Sequence, residues 1–308
     1  MKPSDRTRDE LLSSISSQPA ATPLANEVAA DMQLRARLAD AVFPQPNYTR
    51  VMTVSNQKGG VGKTTTTVNL AAALAQAGLE VLVIDADPQG NASTALNVQH
   101  GPGTPSIYEC LVGETTLGAV RQQCPDIPNL WVVPSTIDLS GAEIELVLSD
   151  DRTGRLEKVL HEHLASDDFA YDYIFIDCPP SLGILTLNAF VAAREVLIPI
   201  QTEYYALEGL SQLLANIARI QEALNPYLHV STILLTMNDR RTNLAREVAE
   251  EVRKFFPEET LDVTIPRSVR VSEAPSHGQT VITYDPQNTG ALAYRAAAKE
   301  IADRGTEI

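Results

Sequence analysis

Lys58, Lys63, Thr64, Asp85, Asp87 and Asp177 are the residues whose types and spacing point most directly to chemistry. The first three fall in the run Val54–Thr66, VSNQKGGVGKTTT. Gly59, Gly60 and Gly62 let backbone N–H groups close around phosphate oxygens, Lys63 adds a point charge, and the Thr64 hydroxyl can ligate Mg²⁺. Val61 and Thr65 complete the cradle where the next helix presents its positive end. The ligand implied is a nucleoside triphosphate. The general phosphate-loop pattern begins with glycine, whereas this loop begins with Gln57 and places a second lysine, Lys58, ahead of the glycines.

The carboxylates stand where such a ligand needs them. The apolar run Val81–Ile84 leads into Asp85-Ala86-Asp87-Pro88-Gln89-Gly90-Asn91. Of this pair, one carboxylate can hold a Mg²⁺-bound water while the other orients or deprotonates the water that attacks the γ-phosphate. A second apolar run, Tyr173–Ile176, ends in Asp177 and has the form of a Walker B strand. Asp177 then joins the Mg²⁺ shell through water, because Mg²⁺ dehydrates reluctantly.

Positioning these groups requires strand ends gathered on one edge. From Arg50 onward, apolar β-rich runs at 51–55, 81–85, 130–133, 173–177, 196–200, 230–236 and 261–265 alternate with helical stretches. The helices are expected near 63–77, 140–148, 152–165, 182–193, 206–224, 242–255 and 290–303. Strands that are apolar without alternation are covered on both faces, so the fold class is α/β: a doubly wound, mostly parallel sheet with helices on both faces and ligands at the strands' carboxyl ends. Residues 1–48 differ, being rich in Ser, Pro and Ala up to Ala25, with one helix over about Asn26–Phe43 before Pro44 and Pro46. We read a flexible extension over 1–48 and one ATPase domain over 49–308.

Composition sets limits. With 308 residues, 44% hydrophobic and 20% charged, the chain can bury a large core. It has no run of eighteen apolar residues, and charged residues occupy its start where a signal peptide needs an apolar segment, so a cytoplasmic protein is expected. Cys110, Cys124 and Cys178 show neither disulfide nor zinc spacing, and Cys178 reads as a small apolar filler. His161 and His163, two apart on a helix, do not share a face and read as surface or capping histidines. A net charge of −15 argues against coating nucleic acid with the whole surface, yet residues 237–270 carry seven basic and seven acidic side chains, leaving all of the excess elsewhere.

Together, NQKGGVGKTTTTVNLAAALA, VLVIDADPQGNAST, YIFIDCPPSLGILTLNA, PIQTEYYALEGL, TMNDRRTNL and IPRSVRVSEAPSHGQTVITYDP resemble the ParA/Soj chromosome-partitioning ATPases, over about residues 50–304. The loop resembles that family's deviant Walker A motif. The resemblance implies a homodimer with ATP and Mg²⁺ sandwiched between subunits, Lys58 reaching the neighbour's phosphates, and Asp87 needed for hydrolysis. Asn238 and Pro266 match positions near the adenine. Arg241 and Arg270 match DNA-contacting arginines, with Arg240 and Arg267 as helpers. These would be phosphate contacts on non-specific double-stranded DNA; for any one of these arginines the alternative is a solvated charge or a salt bridge to Glu247 or Glu273. A ParB-like centromere-binding partner would stimulate hydrolysis on the nucleoid, and residues 1–48 could dock a polar scaffold. Glu203-Tyr204-Tyr205 forms part of a nucleotide-responsive loop in this reading, or its tyrosines pack on the next helix.

The rival is a MinD-like positioning ATPase acting on a membrane or polar scaffold. Such a protein needs a basic amphipathic C-terminal helix, and the Ala-rich, charge-mixed segment 296–308 lacks the basic face and the bulky anchor, so no membrane partner is expected. An iron–sulfur relative needs cysteines in matching local sequence, and a small-molecule ligase or kinase would respond to a metabolite instead of DNA.

Overall fold

The computed structural model describes residues 23–148, 151–166, 170–204, 206–239 and 241–305. The chain divides into a unit over Met1–Asp40, in which a helix spans Pro23–Ala39, and a unit over Ala41–Ile308 that holds the sheet. The helix begins before the expected Asn26 and ends before the expected Phe43.

Among the described residues eight strands form the sheet: β1 Arg50–Val54, β2 Val81–Asp85, β3 Gln122–Gln123, β4 Leu130–Val133, β5 Tyr173–Asp177, β6 Glu195–Gln201, β7 His229–Asn238 and β8 Thr260–Pro266, in the order β3-β4-β2-β5-β1-β6-β7-β8. All neighbours are parallel except β3 on β4. The two-residue β3 escapes sequence reading because Gln122 and Gln123 carry no apolar pattern. Short helices at Asn91–Ala95, Ile107–Val112, Leu117–Val120, Val269–Glu273 and Val281–Tyr284 were likewise unexpected, each being too brief to show a helical period.

Every residue of β2 and β5 is buried, as two-sided coverage demands. Alternate side chains go to opposite cores. Met52, Val54, Val83 and Phe175 pack beneath the helices Lys63–Gln76 and Thr289–Arg304, whereas Leu82, Ile84, Ile174 and Ile176 pack beneath Leu139–Val147, Arg155–Leu164, Ile184–Ala192, Ala206–Ala223 and Asn243–Phe255.

Two polar arrangements brace this frame away from the phosphate loop. At the amino end of β1, Arg50 donates from Nε and Nη2 to both oxygens of Glu195, at 2.8 and 2.6 Å, and from Nη1 to the Ile301 carbonyl at 2.8 Å. Along the outer side of β8, the Asp262 and Val263 N–H groups donate to the two oxygens of Glu300, while Arg304 and Arg253 donate to the Thr260 and Asp262 carbonyls.

His163 corrects the surface expectation: it is only 6% exposed and bonded through Nε2 to the Tyr171 hydroxyl at 3.2 Å. Burial, reinforced by the positive charge of Arg121, lowers its pKa to about 4. The unfolded chain takes up a proton that the folded chain refuses, so this contribution to stability is complete above the ordinary value of 6.5 and is lost as pH falls toward 4. Relative to pH 7, the loss should reach about 1–2 kcal/mol by about pH 5. Urea titrations at both pH values should find that difference reduced in His163→Gln; an unchanged pH dependence would show that the imidazole titrates normally.

Candidate nucleotide site and its flanking arginines

The loop between β1 and the Lys63–Gln76 helix lies at the carboxyl edge of the sheet, next to β5 on one side and β6 on the other. Gly60 and Gly62 adopt φ of 75° and 91°, values that a side chain disfavours, and these turns leave the backbone bare around the helix start. Gly59 differs from them: its φ is not positive and a Cβ there would meet nothing within 4 Å, so it contributes open space to the cradle and no forced turn. The Thr236 hydroxyl anchors the loop by donating to the Val61 carbonyl at 2.8 Å. Lys63 is buried at 8% exposure and donates to the Lys58 carbonyl at 3.2 Å. Burial pulls its pKa down, while Asp177, Cys178 and Asp87 act in the opposite direction, which puts both aspartates within electrostatic reach of the ammonium.

Asp85 and Asp177 are directly paired in register and fully buried. Asp177 accepts from the Thr64 hydroxyl at 2.7 Å and the Thr67 hydroxyl at 2.9 Å. Asp85 accepts from the N–H and hydroxyl of Ser93, at 2.8 and 2.7 Å, and from the N–H of Asp87. Burial pushes both carboxyls above the usual range, with the charge of Asp85 adding to the rise at Asp177 and that of Asp87 adding to it at both, a combination a divalent cation would relieve. Hydroxyl and carboxylate oxygens are the hard donors Mg²⁺ takes, so the residues fit that ion. Asp87, 8% exposed, accepts from the Gln89 N–H at 3.0 Å. Cys178 is buried with its thiol against the Thr53 hydroxyl, and burial drives its pKa up to about 12.

Lys58 points elsewhere, its Nζ 2.6 Å from Glu203 Oε2 with both side chains nearly half exposed. Tyr204 is 74% exposed, against the packing alternative, and Tyr205 lies outside the described residues. Asn238 and Pro266 meet in register at the ends of β7 and β8, where Asn238 donates to the Thr264 hydroxyl at 3.1 Å.

The arginines gather just past these ends. Arg241 donates from Nε and Nη2 to both oxygens of Asp239, holding that carboxyl down to about 2, with Arg267 contributing to the same field. Arg270 lies 3.1 Å from Glu273 and 3.7 Å from Asp285, beside the Tyr284 ring. Arg241, Arg267 and Arg270 are all exposed; Arg240 lies outside the described residues. The Arg270–Glu273 bridge matches one of the alternatives offered for these arginines, and Arg241 takes Asp239, a partner that reading did not name.

Sequence reading missed Thr67 and Ser93, and it named Glu203 without its pairing to Lys58. Thr67 had a signal, since it falls one turn after Thr64 on the same helix face. Ser93 and the contact of Glu203 with Lys58 are brought in by tertiary packing.

A family model described as an AAA domain matches residues 49–230. The chain is 49% identical over 256 residues to the sporulation initiation inhibitor protein Soj of Bacillus subtilis, covering 83% of this chain and 99% of that protein. It is 50% identical to the chromosome partitioning protein ParA of Myxococcus xanthus, covering 83% and 89%. Among solved structures it is similar to the cobyrinic acid a,c-diamide synthase of Mycobacterium smegmatis bound to ADP and magnesium, with 36% identity, a TM-score of 0.69, and coverage of 81% and 92%.

Proposed function

The chain belongs to the ParA/Soj family of chromosome-partitioning proteins, whose members are P-loop ATPases, and from that premise we propose an ATP-driven switch that holds non-specific double-stranded DNA and works with a ParB-like partner. The observation that carries the reading is the convergence of Lys63, Thr64, Asp85 and Asp177 beneath a glycine loop, beside a separate cluster of exposed arginines.

In this reading the loop from Gly59 to Thr65 binds the phosphates of ATP, and Asn238 and Pro266 flank the adenine. Thr64, Asp85 and Asp177 hold Mg²⁺, with one or both carboxylates acting through water. The ion, when bound, supplies charge neutralisation at the transferring phosphoryl group. Asp87 holds or deprotonates the attacking water. Lys58 exchanges Glu203 for the phosphates bound by a second copy, so that two chains close on the nucleotide and separate after hydrolysis. Arg241 and Arg270, with Arg240 and Arg267, contact DNA phosphates, which gives affinity without sequence reading. Residues 49–308 are the ATPase domain, and 1–48 serve as an extension open to a polar scaffold. The working place is the cytoplasm at the nucleoid; among the described residues no helix is long and apolar enough to cross a membrane.

A filter-binding assay with random-sequence duplex tests this, run with ATP, ADP and no nucleotide. Retention should require ATP. Arg270→Ala should keep ATP-dependent dimerisation while losing roughly tenfold in DNA affinity, with the salt slope falling by about one unit. Turnover that rises with cobyrinic acid and ignores DNA would overturn the proposal.

A further inference from the structure

Near its carboxyl end β7 contains a residue in a strained conformation. Met237 has a φ of 49°, in the left-handed region that a side chain disfavours. Among the described residues only Asn97 shares this without being glycine, and asparagine tolerates the region better than a longer side chain does. The strain coincides with an irregularity of the sheet: Leu235 pairs with Thr264 and Asn238 with Pro266, so β7 takes three steps where β8 takes two. Such a bulge re-aims the chain that follows it, here Asn238, Asp239 and Arg241. A sparsely populated conformation persists only where its surroundings hold it.

Those surroundings include the phosphate loop. The Thr236 hydroxyl, on the residue before Met237, donates to the Val61 carbonyl at 2.8 Å. Both residues also crowd Gly62, where a Cβ would stand 3.8 Å from Met237 Cε and 4.0 Å from Thr236 Cγ2. Thr236 is buried and paired in register with Gln201 of β6, so it has a fixed base from which to hold the loop. A trans peptide points its carbonyl and its N–H in opposite directions. Pinning the Val61 carbonyl on Thr236 therefore aims the Gly62 N–H away from that hydroxyl, and a phosphate oxygen that takes this N–H pulls on the same peptide plane.

We infer that Thr236 and Met237 are positioning residues through which an occupied phosphate loop sets the conformation of the chain carrying Asp239 and Arg241. The Arg241 guanidinium is bonded to both Asp239 oxygens, so the pair turns with the backbone that the bulge aims. The inference rests on the reading of Gly59 to Thr65 as the cradle for ATP, and it does not need the arginines to bind DNA.

The test uses the full chain with a thiol-directed fluorophore at Leu244→Cys, an exposed position shortly after Arg241. Cys110, Cys124 and Cys178 are buried, so the label goes to position 244. Mg·ATP should change the emission, whereas adenosine, which can reach Asn238 without filling the loop, should not. Thr236→Val keeps the shape and removes the donor; it should cut that change by about threefold or more while ATP affinity stays within about threefold, and Thr236→Ser should restore it. Met237→Gly, which frees the bulge from its left-handed constraint, should cut it as well. In the same chains the gain in duplex affinity brought by ATP, about tenfold or more, should shrink in parallel. If the unsubstituted chain retains no duplex, the DNA reading fails and the emission alone decides this inference. A full emission change in both Thr236→Val and Met237→Gly, an equal change with adenosine, or no change with Mg·ATP in the chain labelled at 244 alone overturns it. Loss of ATP binding in Thr236→Val at an unchanged melting temperature also overturns it, by making the hydroxyl part of the nucleotide site and not a link beyond it; should that variant melt early, Met237→Gly decides.

Discussion

Replacing Asp87 by alanine should lower ATP turnover by about two to four orders of magnitude while Mg·ATP binding persists. The Asp87 carboxylate is held rather than free: its N–H donates to Asp85, one of its oxygens accepts from Gln89, and its charge reaches Lys63. It makes none of the contacts to Thr64, Thr67 or Ser93 that fix the two inner aspartates, so its removal spares the groups assigned to the ion and phosphates. The variant should therefore accumulate as a dimer in Mg·ATP, read by light scattering alongside phosphate release. A drop in turnover of less than about tenfold would remove Asp87 from the water-activating role.

The second large effect is on stability. Arg50→Ala should destabilise the fold by about 3–5 kcal/mol, because it strands the Glu195 carboxylate in the interior. Both partners are at most 3% exposed. Burial alone would push Glu195 up, but the hydrogen bonds and charge of Arg50 outweigh it and hold the carboxyl below its ordinary range. For a domain of this size the melting temperature should fall by roughly ten degrees. Substituting both partners, Arg50→Met with Glu195→Leu, should recover most of the loss, since the cost lies in the orphaned charge and not in the absence of a pair. Equal destabilisation of the single and double variants would locate the cost in packing instead.

These two sites differ in how far a reader of the sequence could see them. Glycines, Lys63, Thr64 and the strand-terminal aspartates announce themselves because phosphate chemistry constrains residue type at fixed local spacing. The parallel sheet was legible for a similar reason: uninterrupted apolar runs have one economical arrangement. The pairing of Arg50 with Glu195 joins positions 145 apart and neither end carries a local mark, while that of Lys58 with Glu203 spans the same separation and nothing local pairs two residues that each stand in a recognisable segment. His163 was misjudged because its burial depends on Tyr171 and Arg121, contributed by other segments. The arginines near the ends of β7 and β8 were found by resemblance, but their acidic neighbours Asp239 and Asp285 became apparent only in three dimensions.

The side-chain bonds along the outer side of β8 bear on how this molecule behaves when packed densely. An open strand border is a template onto which another chain can add backbone to backbone, the first step toward a fibril. Here Glu300 occupies the amides of Asp262 and Val263 and two arginines occupy the carbonyls of Thr260 and Asp262, so the first half of that template is already engaged from within. Copies of this chain at high concentration are thus hindered from adding strand to strand along that part of β8.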